Sequence, residues 1–125
     1  MLETLIAVKD PLTRDLLRAA FRERRVFRTA VTERERLPAL LAPPCTADVV
    51  VIDLDPRSTA DREALAALRE INPAPAYVAV GPAGERSLFG PSKLELQVRT
   101  FVRTPVDAFD LARRLQRLAE RPEGG

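Results

Sequence analysis

The stretch Ala47–Pro56, A-D-V-V-V-I-D-L-D-P, constrains this chain more than any other. Val49, Val50, Val51 and Ile52 are four consecutive β-branched residues with no polar alternation. A short apolar run of that kind fits a strand covered on both faces, as in parallel sheets flanked by helices. The run closes at Asp53 and Asp55. Carboxylates placed there fall at the carboxyl edge of the sheet, where open α/β folds hold their sites. On these residues alone Asp53 is either a site carboxylate or a strand terminator that helps cap the next helix.

The rest of the chain repeats a strand-then-helix unit around that stretch. Leu2–Val8 reads as a first strand. Asp10-Pro11 supplies an N-cap and a favoured first helical residue, and Leu12, Leu16, Leu17, Ala20 and Phe21 recur at helical spacing. A helix from Pro11 to about Arg24 follows, with Arg14, Arg18 and Arg22 outside. Val26–Val31 fits a second strand nearer an edge. Thr32 and Glu35 form a capping-box pattern, and Pro38 predicts a helix that is short, kinked or late-starting before Pro43-Pro44. A third helix starts among Ser58–Asp61, buries Ala64, Leu65, Leu68 and Ile71, and stops at Asn72-Pro73. Ala76–Val80 is a fourth strand. Between Glu85 and Val98 the signal is weak, with Ser92 and Glu95 able to cap a short helix. Thr100–Arg103 is a fifth strand, and Asp107 caps a last helix whose face is Ala108, Leu111, Ala112, Leu115, Leu118 and Ala119. Five such units predict an α/β, doubly wound, flavodoxin-like five-stranded parallel sheet in the order 2-1-3-4-5. Residues 1–120 make one domain and 121–125 a tail or the start of a linker.

Composition excludes several chemistries. The chain has no histidine and one cysteine, Cys45. Disulfides, thiolate or imidazole metal sites, and Ser-His or Cys-His catalysis are therefore absent, and any chemistry must come from Asp, Glu, Lys, Arg, Ser, Thr or the single Tyr77. Cys45, behind Pro43-Pro44, reads as a passive loop residue. No apolar run approaches the ~20 residues that cross a bilayer, and no basic region precedes an apolar leader, so a cytoplasmic, membrane-free protein is expected. The net charge is +2 and the positive charge is mostly arginine, densest at Arg22, Arg24, Arg25 and Arg28. Glu23 is interleaved, and Tyr77 is the only Tyr with no Trp for base stacking, so direct nucleic-acid binding is not expected. A small α/β nucleotide binder or enzyme is a further reading, but the chain has no G-x-G-x-x-G and no P-loop.

Five landmarks together resemble one family. They are Asp10, Pro11 and Arg14 at the start of the first helix, the D-V-V-V-I-D-L strand ending at Asp53, the N-P-A-P before the fourth strand, Pro105 after the fifth, and Asp107, Leu111 and Leu115 in the last helix. The chain resembles a response-regulator receiver domain, of CheY-like fold, over nearly its whole length. The resemblance implies an aspartate that accepts a phosphoryl group, two acids that hold Mg²⁺, a Thr or Ser ending the fourth strand, and a Lys ending the fifth.

By that resemblance Asp53 matches the phosphoacceptor. The other positions depart from the pattern. The acid pair falls on Val8 and Lys9, or on Lys9 and Asp10, with Asp55 as a further acid; the hydroxyl position falls on Val80 or Gly81, and the lysine position on Thr104. Phe101 takes the place of the family's switch aromatic, with a plain strand aromatic as the alternative. The resemblance then implies a pseudo-receiver: a protein-interaction or dimerisation module that uses the face of the fourth helix, fifth strand and last helix, with no enzymatic activity and no cofactor. The alternative is a phosphoacceptor receiver in a two-component phosphorelay, with Mg²⁺ held by Asp10 and Asp53. The Lys9 ammonium either replaces the metal and pairs with Asp53 or reaches away to solvent.

Overall fold

The computed structural model describes residues 1–55, 58–81, 100–103 and 108–120. The elements are β1 (Leu2–Ala7), α1 (Pro11–Glu23), β2 (Phe27–Val31), a 3-10 turn (Arg34–Arg36) running into α2 (Leu37–Leu41), β3 (Val49–Asp53), α3 (Thr59–Ile71), β4 (Ala76–Gly81), β5 (Thr100–Arg103) and a C-terminal helix (Ala108–Glu120). The five strands are all parallel and lie in the order β2-β1-β3-β4-β5. The expected fourth helix (Ser92, Glu95), the cap at Asp107 and the tail lie outside the described residues.

The burial of β3 explains its lack of polar alternation. Val49 and Val51 join Ile6, Val78, Phe21 and Leu111 in a core on one side of the sheet. Val50 and Ile52 join Leu37, Leu41, Leu65 and Leu68 on the other. Successive side chains of a strand point to opposite faces, so a strand covered twice must be apolar throughout. The residue after Ile52 is the first that can be polar, and it is Asp53, only partly buried.

Local chemistry sets the helix starts. The Asp10 carboxylate accepts hydrogen bonds from the Thr13 N–H at 2.9 Å and the Thr13 hydroxyl at 2.7 Å. Ser58 caps α3, its Oγ accepting from the Asp61 N–H at 3.1 Å. The Thr32–Glu35 capping box does not form: the Thr32 hydroxyl donates to the Glu33 carbonyl instead, and a 3-10 turn begins at Arg34. The helix starts late, at Leu37, with Pro38 in its first turn where the missing N–H has no helical partner to lose.

The expected face of α1 is also turned. Leu17, Ala20 and Phe21 are buried, but Thr13 takes the remaining inward position, and Leu12 and Leu16 stay 70% and 40% exposed. The cap draws Thr13 inward, and Phe21 packs on Phe27 of β2 with ring centroids 4.7 Å apart, which fixes the helix rotation. Behind α3 the buried Tyr77 hydroxyl donates to the carbonyls of Asn72 (2.6 Å) and Leu68 (3.2 Å). Burial, with the Cys45 thiol nearby, pushes the Tyr77 phenol up to about 12, and Arg69 opposes this.

Candidate functional site

Parallel strands bring their carboxyl ends to one edge, so β1, β3 and β4 deliver Lys9, Asp53 and Gly81 to a common rim. A pocket of about 420 Å³ opens there, and Lys9, Asp10, Arg34, Asp53, Asp55 and Asp61 are among its walls. Asp53 sits in three different environments at once. Its Oδ2 accepts the backbone N–H of Lys9 at 3.1 Å. Its carbonyl accepts the Arg34 guanidinium at 3.1 Å. Its Oδ1 is buried and has no hydrogen-bond partner.

Arg34 and Asp61 build a brace beside that carboxylate. The second guanidinium nitrogen of Arg34 pairs with Asp61 Oδ1 at 3.1 Å. Asp61 Oδ2 accepts the Asp55 N–H at 2.9 Å. Three segments are thereby tied: the β2–α2 connection, the end of β3, and the first turn of α3. Asp61 is well placed for this, because the N-terminal turn of a helix favours negative charge. The Leu54 N–H adds a bond to the Val80 carbonyl at 2.8 Å, holding the turn after β3 against β4.

Each sequence-selected position has a definite place. Asp10 lines the pocket, but its carboxylate is turned back onto Thr13, whose two hydrogen bonds hold the carboxyl below its usual range. The expected acidic metal position is therefore a helix cap. Lys9 is exposed and meets Asp53 through its backbone; among the described residues its ammonium makes no ion pair, so the Lys9–Asp53 ammonium pair does not form. Asp55 lines the pocket and gives its N–H to Asp61. Val80 is buried in the core opposite Asp53 in the β3–β4 register, and Gly81 follows it at the rim. Phe101 lies in β5 opposite Ala79, and Thr104 lies outside the described residues. Among the described residues no group of three or more His, Cys, Asp or Glu gathers to hold a metal.

Arg34 is the member that sequence reasoning missed. It sits in the charged run T-E-R-E-R-L-P, which reads as a solvated helix start, and nothing local aims it at a residue nineteen positions away. Asp61 appeared only as one of several cap candidates.

No protein-family model and no curated protein sequence matches the chain. Solved structures do. A response regulator from Thermotoga maritima superposes with a TM-score of 0.78 at 14% identity, covering 97% of this chain and 99% of that one. A response regulator receiver domain protein (CheY-like) from Methanospirillum hungatei JF-1 gives 0.72 at 13% identity, covering 94% of each chain. A pilus assembly-related protein from Burkholderia pseudomallei K96243 gives 0.67 at 24% identity, covering 95% of this chain and 90% of that one. With the strand order and the Asp53 edge already in place, these likenesses establish that the chain has the CheY-like receiver fold.

Proposed function

We propose that the domain is a signalling module of the receiver fold that works by contact with a protein partner in one held conformation. It does so without Mg²⁺-dependent phosphorylation of Asp53 and without catalysis of its own. The observation that carries this reading is the identity of the charges around Asp53. The acid expected to hold metal is spent on capping α1, and the fixed cation of the site is Arg34, committed to Asp61 and the Asp53 carbonyl. Transfer of a phosphoryl group to a carboxylate needs positive charge that can meet the incoming oxygens, normally Mg²⁺ held by acids together with a basic side chain. Here one unpartnered carboxylate oxygen and an exposed lysine replace that set, which does not fit a Mg²⁺ cage. The fold likeness to response regulators and to a pilus assembly-related protein supports a cytoplasmic setting in a regulator or an assembly machine.

A second reading keeps Asp53 as a phosphoacceptor, and the buried Oδ1 without a partner favours it. One experiment separates the two. The domain is incubated with a small-molecule acyl phosphate and Mg²⁺, and its intact mass is read. No phosphoryl increment is expected. An increment that disappears in Asp53→Asn would overturn the proposal and establish the second reading.

A further inference from the structure

β2 is an edge strand whose outer edge offers backbone groups to another strand. It stands at one end of the sheet, opposite β5, and pairs with β1. The Leu2 N–H donates to the Val26 carbonyl at 2.5 Å, and the Thr32 N–H to the Ile6 carbonyl at 2.9 Å. Bonds to one neighbour come from alternate residues, so Val26, Arg28, Ala30 and Thr32 face β1 in the Leu2–Phe27 register. The N–H and C=O groups of Thr29 and Val31 and the C=O of Phe27 therefore point away from the sheet, while the Phe27 N–H turns back to the Arg24 carbonyl at 3.1 Å. Among the described residues no backbone group meets Thr29 or Val31 on that side. The register runs without a bulge, the strand has no proline, and Ala30 and Val31 are exposed, so the backbone is open to a further strand.

Arginine lines the same edge. Phe21 packs on Phe27, so that flank of α1 lies over β2. At 100° per residue Arg14, Arg18 and Arg22 fall progressively further round on this flank, one turn apart along the helix. Arg14 shares a cavity of about 260 Å³ with Thr32 and Glu33, which places it at the end of the strand. The helix carries the chain from the end of β1 back to the start of β2, so it runs antiparallel to β2 and sets Arg18 and Arg22 beside its middle and its start. Arg14 meets Asp15 at 3.9 Å. Arg18, Arg22 and Arg25 are exposed and make no ion pair among the described residues. Residues 11–31 hold six arginines against Asp15 and Glu23, so this segment is four charges positive while the chain is only +2. Glu33 and Glu35 close the positive stretch where the strand ends.

We infer that the outer edge of β2, with the Arg18–Arg22 flank of α1, receives an extended acidic segment of a partner protein as a sixth strand. The backbone groups of Thr29 and Val31 call for another peptide backbone, and the arginines call for carboxylates. The spacings agree: side chains on one face of a strand recur every ~6.7 Å, and arginines one turn apart on a helix recur every ~6 Å. Acids at alternate positions therefore meet Arg18 and Arg22 in step. A second copy of the chain, added by a two-fold axis at this edge, would set its own α1 arginines against these. A nucleic-acid backbone would meet the arginines, but phosphates only accept and leave the Thr29 and Val31 carbonyls unpaired. This gives the proposed protein contact a surface. None of these residues lines the pocket at Asp53, so the surface and the reading of Asp53 stand or fall separately.

The test uses a peptide of about eight residues that alternates glutamate with threonine, and its counterpart with lysine for glutamate. Each is titrated into the labelled protein and followed by amide NMR. The glutamate peptide should shift the Thr29 and Val31 amides and slow their hydrogen exchange, and should bind at least about tenfold more tightly than the lysine peptide. Methylating alternate amide nitrogens of the glutamate peptide, in both phases, should weaken binding at least about tenfold in one phase, because only one edge of a strand meets β2. Val31→Pro removes an outward N–H and leaves the ladder to β1 intact, and the pair Arg18→Glu with Arg22→Glu changes exposed residues; each should weaken binding about tenfold. Equal binding of the glutamate and lysine peptides, full binding in both methylated phases, shifts centred away from β2, no saturation below about millimolar, or wild-type affinity in the folded variants would each overturn the inference. So would tighter binding to single-stranded or duplex DNA than to the glutamate peptide.

Discussion

Arg34→Met tests the brace beside Asp53 because it keeps the apolar stem and removes the charge and every donor. Two interactions are lost: the bond to the Asp53 carbonyl and the pair with Asp61. The Arg34 and Asp61 side chains retain 28% and 18% exposure, so the pair lies between a solvated bridge and a dry one. A surface pair contributes under ~1 kcal/mol and breaking a fully buried pair costs ~3–5 kcal/mol. Discounting for solvent, the pair is assigned ~1 kcal/mol and the bond to the carbonyl another ~1, for a loss of ~2 kcal/mol in total. For 125 residues that lowers the melting temperature by about 8 °C. Asp61→Asn keeps an acceptor for the Asp55 N–H and should cost ~1 kcal/mol. The double variant should then show a coupling of ~1 kcal/mol, weakened at ~1 M salt. Urea unfolding of the four proteins measures all of this. Losses that simply add, or an Arg34→Met protein within ~0.3 kcal/mol of wild type, would refute the brace as a structural element.

Two further outcomes follow from titrating groups. The folded Tyr77 phenol is raised to about 12 from 10.0, so its contribution is fully present below pH 10.0 and is lost as pH rises toward about 12. Tyr77→Phe should cost ~1 kcal/mol near neutrality, by removing the bonds to Asn72 and Leu68, and should flatten the alkaline fall in stability; an unchanged alkaline limb in urea titrations would contradict the assignment. Asp10 is lowered by its two bonds from Thr13, so its contribution is present above the ordinary value of 3.8 and disappears as pH falls through its lower folded value. Asp10→Asn should therefore lose less stability than wild type between about pH 5 and about pH 2, read as the difference in thermal midpoints, and identical acid profiles would remove Asp10 from the account.

The site divides along the same line as the fold. The β3 run, the Asp10-Pro11 start and the alternation of strand and helix carry their own local physics, so the parallel sheet and the place of Asp53 at its edge are legible without coordinates. The rotation of α1 is not. Leu12, Leu16 and Leu17 are equally apolar, and only the Thr13 cap and the Phe21–Phe27 contact choose which of them faces inward.

The sequence by itself determined that a buried parallel strand ends in Asp53, that the acids, hydroxyl and lysine expected around such a carboxylate are incomplete, and that histidine and disulfide chemistry are absent. Period-two burial and residue type suffice for the first and last of these, while the second rests on the resemblance to receiver domains. Only the tertiary structure decided which cation stands at Asp53. Lys9 is next to the site in the chain, yet a strand end directs its backbone N–H to the carboxylate and leaves the ammonium in solvent. Arg34 is distant in sequence, and the late start of α2 aims it across the rim. Side-chain direction at a chain turn depends on how several elements meet, and that information is not local.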